Sequence, residues 1–288
     1  MDYRLVVLDV DGTLLDPDHR LRPRVATAVR AVRRAGVPVA LATGKLLHSV
    51  RPLLAELGVA GPQIVLNGAA TVESGSGEAL RFCPLRPDDL HAVVRAVRRA
   101  DPGVLVSLFA LDGIFMDEAH PQVGIFAEYG EGPPVIVPDL LAAGLPPVAK
   151  VLLAGPPERL AAVRAAVAPG LPERVSITTT TPDFLEFFDV EAGKGRALAA
   201  LRERLGLPRA AVVAFGDGEN DLPLLREAGL AVAMGNGAAV TQAAADRIAP
   251  SNAEDGVAVV LEELLGHGFL TPPPSPHKER GGETGGRC

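Results

Sequence analysis

The chain is poor in cysteine. Cys83 and Cys288 are its only two, they lie far apart, and their positions fit no metal-binding or redox spacing. A chain of 288 residues with so few thiols is typical of the cytosol, where disulfides are rare. We therefore expect a cytoplasmic protein.

The chain also lacks long apolar runs and an excess of positive charge. It has no apolar segment of signal-peptide type near its start and no run long enough to cross a membrane. The net charge of −7 argues against nucleic-acid binding as the main function. Arg30, Arg33 and Arg34 cluster, but apolar residues recur between them at helical spacing, so they are interpreted as the solvent face of a helix. We expect neither a membrane partner nor a nucleic-acid partner.

Apolar residues make up 48% of the chain, which is enough for the cores of two domains. Short apolar runs alternate with helical segments near both ends, a pattern typical of a doubly wound, Rossmann-like parallel sheet. We predict an α/β core from residues 1–83 and 186–270, with an inserted α/β cap domain at 84–185. Residues 271–288 are rich in proline, glycine and charge and are predicted to form a disordered tail.

Periodicity places the elements within these regions. Apolar residues at helical spacing predict helices at 23–35, 46–57 and 88–100, and Gly58 is a good residue to end the second. Alternation on either side of a Ser-Gly-Ser-Gly segment predicts a β-hairpin over 70–82.

Polar residues cluster where predicted strands end, and ligands bind beyond those ends in such sheets. The first cluster is Asp9-Val10-Asp11-Gly12-Thr13, directly after the apolar run Leu5–Leu8. Carboxylates so close at the end of a buried strand repel each other unless a cation neutralises them. An all-oxygen site suits Mg²⁺. The alternative interpretation is an ordinary Asp-Gly turn.

Three further clusters have similar positions. Thr43-Gly44-Lys45 joins a predicted strand to a helix, where a hydroxyl and free amides either bind an anion or simply cap the helix. Lys194 lies between two glycines and either reaches a phosphate or is solvated. The segment 216–221 brings acidic residues and glycines together, as a cation site or as an acidic capped loop. In combination, the four clusters supply what phosphoryl transfer needs.

With these motifs the chain resembles the haloacid dehalogenase superfamily of phosphohydrolases, and within it the Cof-type sugar phosphatases, which carry a type IIB α/β cap. The resemblance covers nearly the whole chain except the tail, although the cap matches only in kind. Lys45 is a departure, because relatives commonly have arginine there; lysine keeps the charge but not a bidentate hold on a phosphate. Further Cof-like stretches occur at 67–69, 234–237 and 251–257.

The resemblance implies a role for each motif residue. Asp9 would attack phosphorus and form an aspartyl-phosphate, and Asp11 would act first as acid and then as base. Mg²⁺ would be held by the Asp9 carboxylate, the Asp11 backbone carbonyl and Asp217. The remaining implied roles are phosphate or substrate binding by Thr43, Gly44, Lys194 and Asn220, of which Thr43 and Lys194 also serve catalysis, and orientation of Lys194 or of a metal-bound water by Asp221.

The expected function is Mg²⁺-dependent hydrolysis of small phosphate monoesters such as sugar phosphates. A phosphosugar mutase built on the same core is the main alternative, and it would require a sugar bisphosphate. A dehalogenase would need neither Mg²⁺ nor an acid at Asp11. A silent binding module would be expected to have lost one of the key residues. The individual substrate and the oligomeric state stay open.

Overall fold

The computed structural model describes residues 2–142, 144–273 and 286–287. Its helices are α1 (Pro23–Arg34), α2 (Leu47–Leu57), α3 (Pro87–Ala100), α4 (Ile125–Glu128), α5 (Pro157–Val167), α6 (Lys194–Arg204), α7 (Leu222–Arg226), α8 (Ala239–Ala243) and α9 (Gly256–Gly266). Its strands are β1 (Leu5–Leu8), β2 (Val39–Leu41), β3 (Pro62–Val65), β4 (Ala70–Glu73), β5 (Ala79–Phe82), β6 (Leu105–Ala110), β7 (Ile114–Met116), β8 (Val135–Ile136), β9 (Val148–Ala154), β10 (Val175–Thr181), β11 (Phe184–Asp189), β12 (Val212–Gly216), β13 (Leu230–Ala233), β14 (Arg247–Ile248) and β15 (Gly286–Arg287).

A parallel sheet in the order β14-β13-β12-β1-β2 forms the centre of the core. Alternate side chains of β1 enter different apolar clusters. Val6 and Leu8 pack with residues of α1 and α9, whereas Leu5 and Val7 pack with residues of α6 and α7. Helices therefore cover both faces, and the predicted doubly wound α/β fold is confirmed.

A small antiparallel ribbon extends this core. β3 pairs with β4, and β4 pairs with β5, so the hairpin predicted over 70–82 is confirmed. A single bridge between Ala42 and Ile64 connects the ribbon to the end of β2. The helices predicted at 23–35, 46–57 and 88–100 are confirmed to within a residue at each end, and Gly58 ends α2 in the left-handed conformation.

A second sheet, in the order β10-β11-β9-β6-β7-β8, lies between the two halves of the core in sequence. Its pairings are antiparallel except that of β7 with β8. One face packs against α3 and α5, while side chains of the other face, such as Phe109, Leu152 and Phe184, belong to the same apolar cluster as the core. The cap sheet therefore turns one face toward the core.

The end of the cap sheet differs from the predicted boundary. Residue 185 falls inside β11, which pairs with β9 from Phe184 to Phe188, so the sheet continues to Asp189. A boundary cannot fall inside a strand that is hydrogen-bonded along its length.

The start of the predicted tail lies against the core, where the Thr271 amide donates to the Tyr3 carbonyl at 2.9 Å. Residues 274–285 and 288, which make up most of that prediction, lie outside the described residues. Across the described part of the chain, no helix combines the length and hydropathy needed to cross a membrane.

Candidate active site

The site forms at the carboxyl ends of neighbouring core strands. Asp9 follows β1 and Asp217 follows β12, and these strands pair in register with Leu8 opposite Phe215. Parallel pairing therefore brings the two aspartates to the same edge of the sheet. Lys194 begins α6 and reaches the same edge.

A single wide helical turn, Val10–Leu14, carries the chain away from Asp9. Gly12 has φ of 81° within it, and a Cβ there would lie 2.3 Å from Asp217 Oδ2, so no larger residue fits without displacing that carboxylate. Thr13 Oγ1 donates to Asp217 Oδ1 at 2.7 Å. The turn thus packs directly against the second acidic segment.

Asp9, Asp217 and Asp221 form an acidic cluster at this edge. Lys194 is its buried cation, with a side chain only 1% exposed. Its Nζ donates to Asp9 Oδ1 and to Asp221 Oδ1, each at 2.6 Å. The other oxygen of Asp221 accepts the backbone amides of Asp217 and Gly218, both at 3.0 Å. Asp221 therefore holds Lys194 in place and shapes the loop after β12.

The cluster contains more negative charge than Lys194 neutralises. Burial, followed by the charge of Asp221, raises the pKa of Asp9 well above its usual range, and Lys194 offsets only part of this effect. Burial and Asp221 also raise the pKa of Asp217 to about 6. Burial alone would lower the pKa of Lys194, but the charges of Asp221 and Asp9 outweigh it and raise that pKa. A further cation would relieve the repulsion.

The donor atoms fit a small divalent cation. Carboxylate oxygens of Asp9, Asp217 and Asp221 lie within 4.8 Å of one another. Since both oxygens of Asp221 already have partners, Asp9 and Asp217 are the side chains left to hold an ion. The Asp11 carboxylate points elsewhere, with Oδ2 lying 3.0 Å from Lys45 Nζ. Oxygen donors of this kind suit Mg²⁺.

Only some of the predicted phosphate-binding residues line the cavity that lies between the acidic cluster and the cap. Gly44 and Asn220 line it. Thr43 is buried, and its hydroxyl accepts the Lys45 amide at 3.1 Å, within the loop that leads to α2. The Asn220 amide donates to Asn67 Oδ1 at 3.2 Å.

A cavity of about 330 Å³ separates the acidic cluster from the cap. On the cap side it contains a buried ion pair that sequence reasoning missed: Lys150 Nζ lies 2.8 Å from Glu186 Oε1. Lys150 also donates to the Gly44 carbonyl at 2.9 Å, and Glu186 accepts the Asn67 amide at 2.5 Å. The available signal was one charged residue in the middle of each of two apolar strands, β9 and β11.

Three further hydrogen bonds join cap and core at the rim of the cavity. Lys45 Nζ donates to the Tyr129 carbonyl at 2.5 Å. Glu131 accepts the Leu46 amide at 3.1 Å and the Ser49 hydroxyl at 2.5 Å, so a cap carboxylate occupies the N-terminus of α2. The predictions did not include Tyr129 or Glu131, because their loop has no recognisable pattern.

Comparisons with known proteins identify the family and the fold. The model of the haloacid dehalogenase-like hydrolase family matches residues 6–261. The chain is 31% identical over 234 residues to the HMP-PP phosphatase of Serratia proteamaculans (strain 568), across 81% of this chain and 84% of that protein. A crystal structure of a haloacid dehalogenase-like hydrolase from Bacteroides thetaiotaomicron has a TM-score of 0.81 at 28% identity, over 91% of this chain and 100% of that one. A subclass IIB sugar phosphatase matches with a TM-score of 0.77 at 21% identity, over 93% of this chain and 100% of that one, a likeness that concerns the fold alone.

Proposed function

The chain belongs to the haloacid dehalogenase-like hydrolase family, as its motifs indicate, and we propose that it is a Mg²⁺-dependent phosphatase that hydrolyses small phosphate monoesters through an aspartyl-phosphate. Its enzyme class, a phosphoric monoester hydrolase, is that of its phosphatase relatives. The observation that carries the mechanism is the Asp9 carboxylate, buried at a strand end, held by Lys194 at 2.6 Å and close to Asp217. The relative named for HMP-PP supports a small phosphorylated metabolite as the substrate.

In the first half-reaction, a carboxylate oxygen of Asp9 forms a bond to phosphorus as the bond to the leaving oxygen breaks. Asp11 donates its proton to that leaving oxygen. Asp11 lines the cavity, and its Oδ1 makes no hydrogen bond within the described residues, with His19 Nδ1 3.4 Å away. Asp11 Oδ1 is therefore available for proton exchange with a bound substrate.

In the second half-reaction, water attacks the phosphorus of the aspartyl-phosphate. The bond between phosphorus and the Asp9 oxygen breaks, Asp9 returns to a carboxylate, and Asp11 recovers a proton from the water. Lys194 donates to Asp9 Oδ1 and fixes the orientation of the nucleophile in both steps. The products are an alcohol and inorganic phosphate.

Asp9 and Asp217, with the Asp11 backbone, would hold Mg²⁺, which when bound supplies positive charge that offsets the phosphate and carboxylate charges. The cap forms the other side of the cavity that holds the substrate. Its Tyr129 carbonyl and Glu131 carboxylate bind Lys45 and the start of α2 at the rim, which narrows one side of the cavity around the reacting phosphate.

The test is turnover of p-nitrophenyl phosphate in Mg²⁺ and in EDTA by the native protein, Asp9→Asn and Asp88→Asn. Asp88 is an exposed aspartate at the start of α3, away from the cavity, so it controls for the same chemical change. We expect activity to require Mg²⁺, to survive in Asp88→Asn and to fall at least about 10³-fold in Asp9→Asn, since no carboxylate remains to attack.

Turnover that persists in Asp9→Asn would rule out the covalent mechanism, and turnover that persists in EDTA would rule out the metal requirement. Acid quenching during turnover of a ³²P-labelled substrate gives a second readout: label should remain on the native protein and be absent from Asp9→Asn.

A further inference from the structure

The aromatic residues of this chain are few and unevenly placed. The sequence contains nine phenylalanines, two tyrosines and no tryptophan. Three of those phenylalanines and one of the tyrosines line the cavity between core and cap. All four come from the cap: Phe109, Phe126, Tyr129 and Phe184.

These rings form two contacting pairs. Phe109 and Phe126 meet edge to face with centroids 6.0 Å apart, and Tyr129 and Phe184 lie 4.6 Å apart with tilted planes. Phe109, Phe126 and Phe184 are buried, so neighbouring contacts restrict their orientations. The cap thus presents a largely prebuilt aromatic surface opposite Asp9.

The polar side chains on the same side of the cavity largely have partners of their own, in the cap or in the core. Lys150 donates to Glu186 and to the Gly44 carbonyl. The two oxygens of Glu186 accept from Lys150, Thr180 and Asn67, and both oxygens of Glu131 accept from the start of α2. On the cap side, a ligand therefore meets aromatic carbon, and most of the polar groups beside it already have partners.

This lining favours one class of leaving group over another. A hexose or an open polyol buries several hydroxyls, and each hydroxyl left without a partner lowers affinity by about tenfold. An aromatic ring needs no such partners and gains from edge-to-face and offset contacts with other rings.

Building on the proposed phosphatase activity, we propose that the physiological substrate carries an aromatic or heteroaromatic ring on the alcohol it releases, and that Phe109, Phe126, Tyr129 and Phe184 bind this ring. The four residues are specificity determinants for the leaving group. The transferred phosphate is still bound by the core residues around Asp9.

The first test compares kcat/KM for benzyl phosphate and glucose 6-phosphate in Mg²⁺. Both are monoesters of primary alcohols, so their phosphates and leaving oxygens are closely matched and the ring is the main difference. Acetyl phosphate, a small substrate without a ring, reports the core chemistry. We expect benzyl phosphate to exceed glucose 6-phosphate by at least about tenfold.

The second test uses Tyr129→Leu and Phe184→Leu, which keep apolar side chains but remove a ring. Each should lower the ratio of benzyl phosphate to glucose 6-phosphate turnover by about three- to tenfold. Phe269→Leu is the matched control, because its ring stacks on His267 away from the cavity and the ratio should not change.

Glucose 6-phosphate turned over as well as benzyl phosphate by the native protein would overturn the inference while leaving the proposed function intact. Equal ratios in native, Tyr129→Leu and Phe184→Leu proteins would also overturn it. If the native protein turned over none of the three substrates, acetyl phosphate included, the proposed function itself would fall, and the inference with it.

Discussion

At the scale of residues, the acidic cluster is defined by an imbalance of charge in a buried place. Three aspartates, at positions 9, 217 and 221, lie close together, and the ammonium group of Lys194 contacts two of them, Asp9 and Asp221. Two of these carboxyls have raised pKa values, those of Asp9 and Asp217, mainly because burial disfavours their charged forms. Perturbed pKa values of this kind are typical of functional sites, and a bound cation would reduce the repulsion between these carboxylates.

A pH dependence of metal binding follows from Asp217. In the metal-free protein its pKa rises from an ordinary value of 3.8 to about 6, so the folded state holds this proton more tightly than the unfolded state does. The contribution of this group to stability therefore falls as pH rises from about 4 to 6. Because Mg²⁺ binds the carboxylate form, we expect the increase in Tm caused by MgCl₂ to be larger at pH 7.5 than at pH 5.

Thermal unfolding at both pH values, with NaCl at matched ionic strength as the control, measures this difference. The Asp217→Asn variant should show a much smaller Mg²⁺-dependent shift at pH 7.5. An equal shift at pH 5 and pH 7.5, or an undiminished shift in Asp217→Asn, would contradict the assignment of Asp217 as a ligand.

At the scale of elements, strands β9 and β11 each have a charged residue flanked by apolar ones, Lys150 and Glu186. Lys150 is 1% exposed and Glu186 is 2% exposed, so neither charge is solvated. They are balanced by each other and by hydrogen bonds to Gly44 and Asn67 of the core. A buried pair of this kind contributes little net stability, but it penalises any arrangement that separates the partners.

Glu186→Gln tests this view, because it removes the counter-charge of Lys150 with little change of shape. We expect it to destabilise the fold by about 3–5 kcal/mol. Glu191→Gln is the matched control: Glu191 pairs with Arg196 on the surface, with side chains 38% and 57% exposed, so the same substitution should cost at most about 1 kcal/mol. Urea unfolding of both variants gives the two free energies.

The double variant Lys150→Met/Glu186→Gln provides an internal check. Once the unpaired buried ammonium is gone, it should recover part of the stability that Glu186→Gln loses. A double variant as unstable as the sum of the single variants would show that the two charges do not depend on each other.

At the scale of the whole molecule, hydrogen bonds between the cap and the loop that starts α2 join the two layers along one side of the cavity rim. The cap residue Glu131 accepts the Leu46 amide, and the core residue Lys45 donates to the Tyr129 carbonyl. Breaking these contacts would widen the entrance for a substrate, and we expect the two layers to separate and reclose during turnover.

The Leu46 amide reports this opening, because its acceptor lies in the cap. The Leu41 amide is a matched control, since it also donates to a side-chain oxygen, that of Gln63, but within the core. We expect Leu46 to exchange its hydrogen faster than Leu41 in the free protein, and Mg²⁺ with inorganic phosphate to slow Leu46 by about tenfold or more. Hydrogen exchange followed by NMR measures both amides.

Slowing of Leu46 and Leu41 by the same factor would indicate a general stabilisation of the fold and would contradict cap opening as the event that exposes Leu46. Phosphate without Mg²⁺ should have a smaller effect on Leu46, because the acidic cluster repels an anion when the cation is absent.

Much of the core was predictable because its signals are local in sequence. An apolar run that ends in Asp9, a helix that ends at Gly58 and a hairpin around the Ser-Gly repeat are each determined by neighbouring residues, and each occurs as predicted. Parallel-sheet geometry then accounts for the meeting of Asp9 with Asp217. The roles assigned to these residues in catalysis, the division into core and cap, and a cytoplasmic location stay predictions.

What the sequence determined by itself is the α/β class of the fold and the set of residues at the ends of the core strands. Their order in the chain and the rule that parallel strands end at one edge are sufficient for that. Only the tertiary structure decided the cap side: the pairing of Lys150 with Glu186, the occupation of the α2 N-terminus by Glu131, and the four rings around the cavity. Those contacts join residues far apart in the chain through antiparallel register and loop packing, which no local pattern encodes.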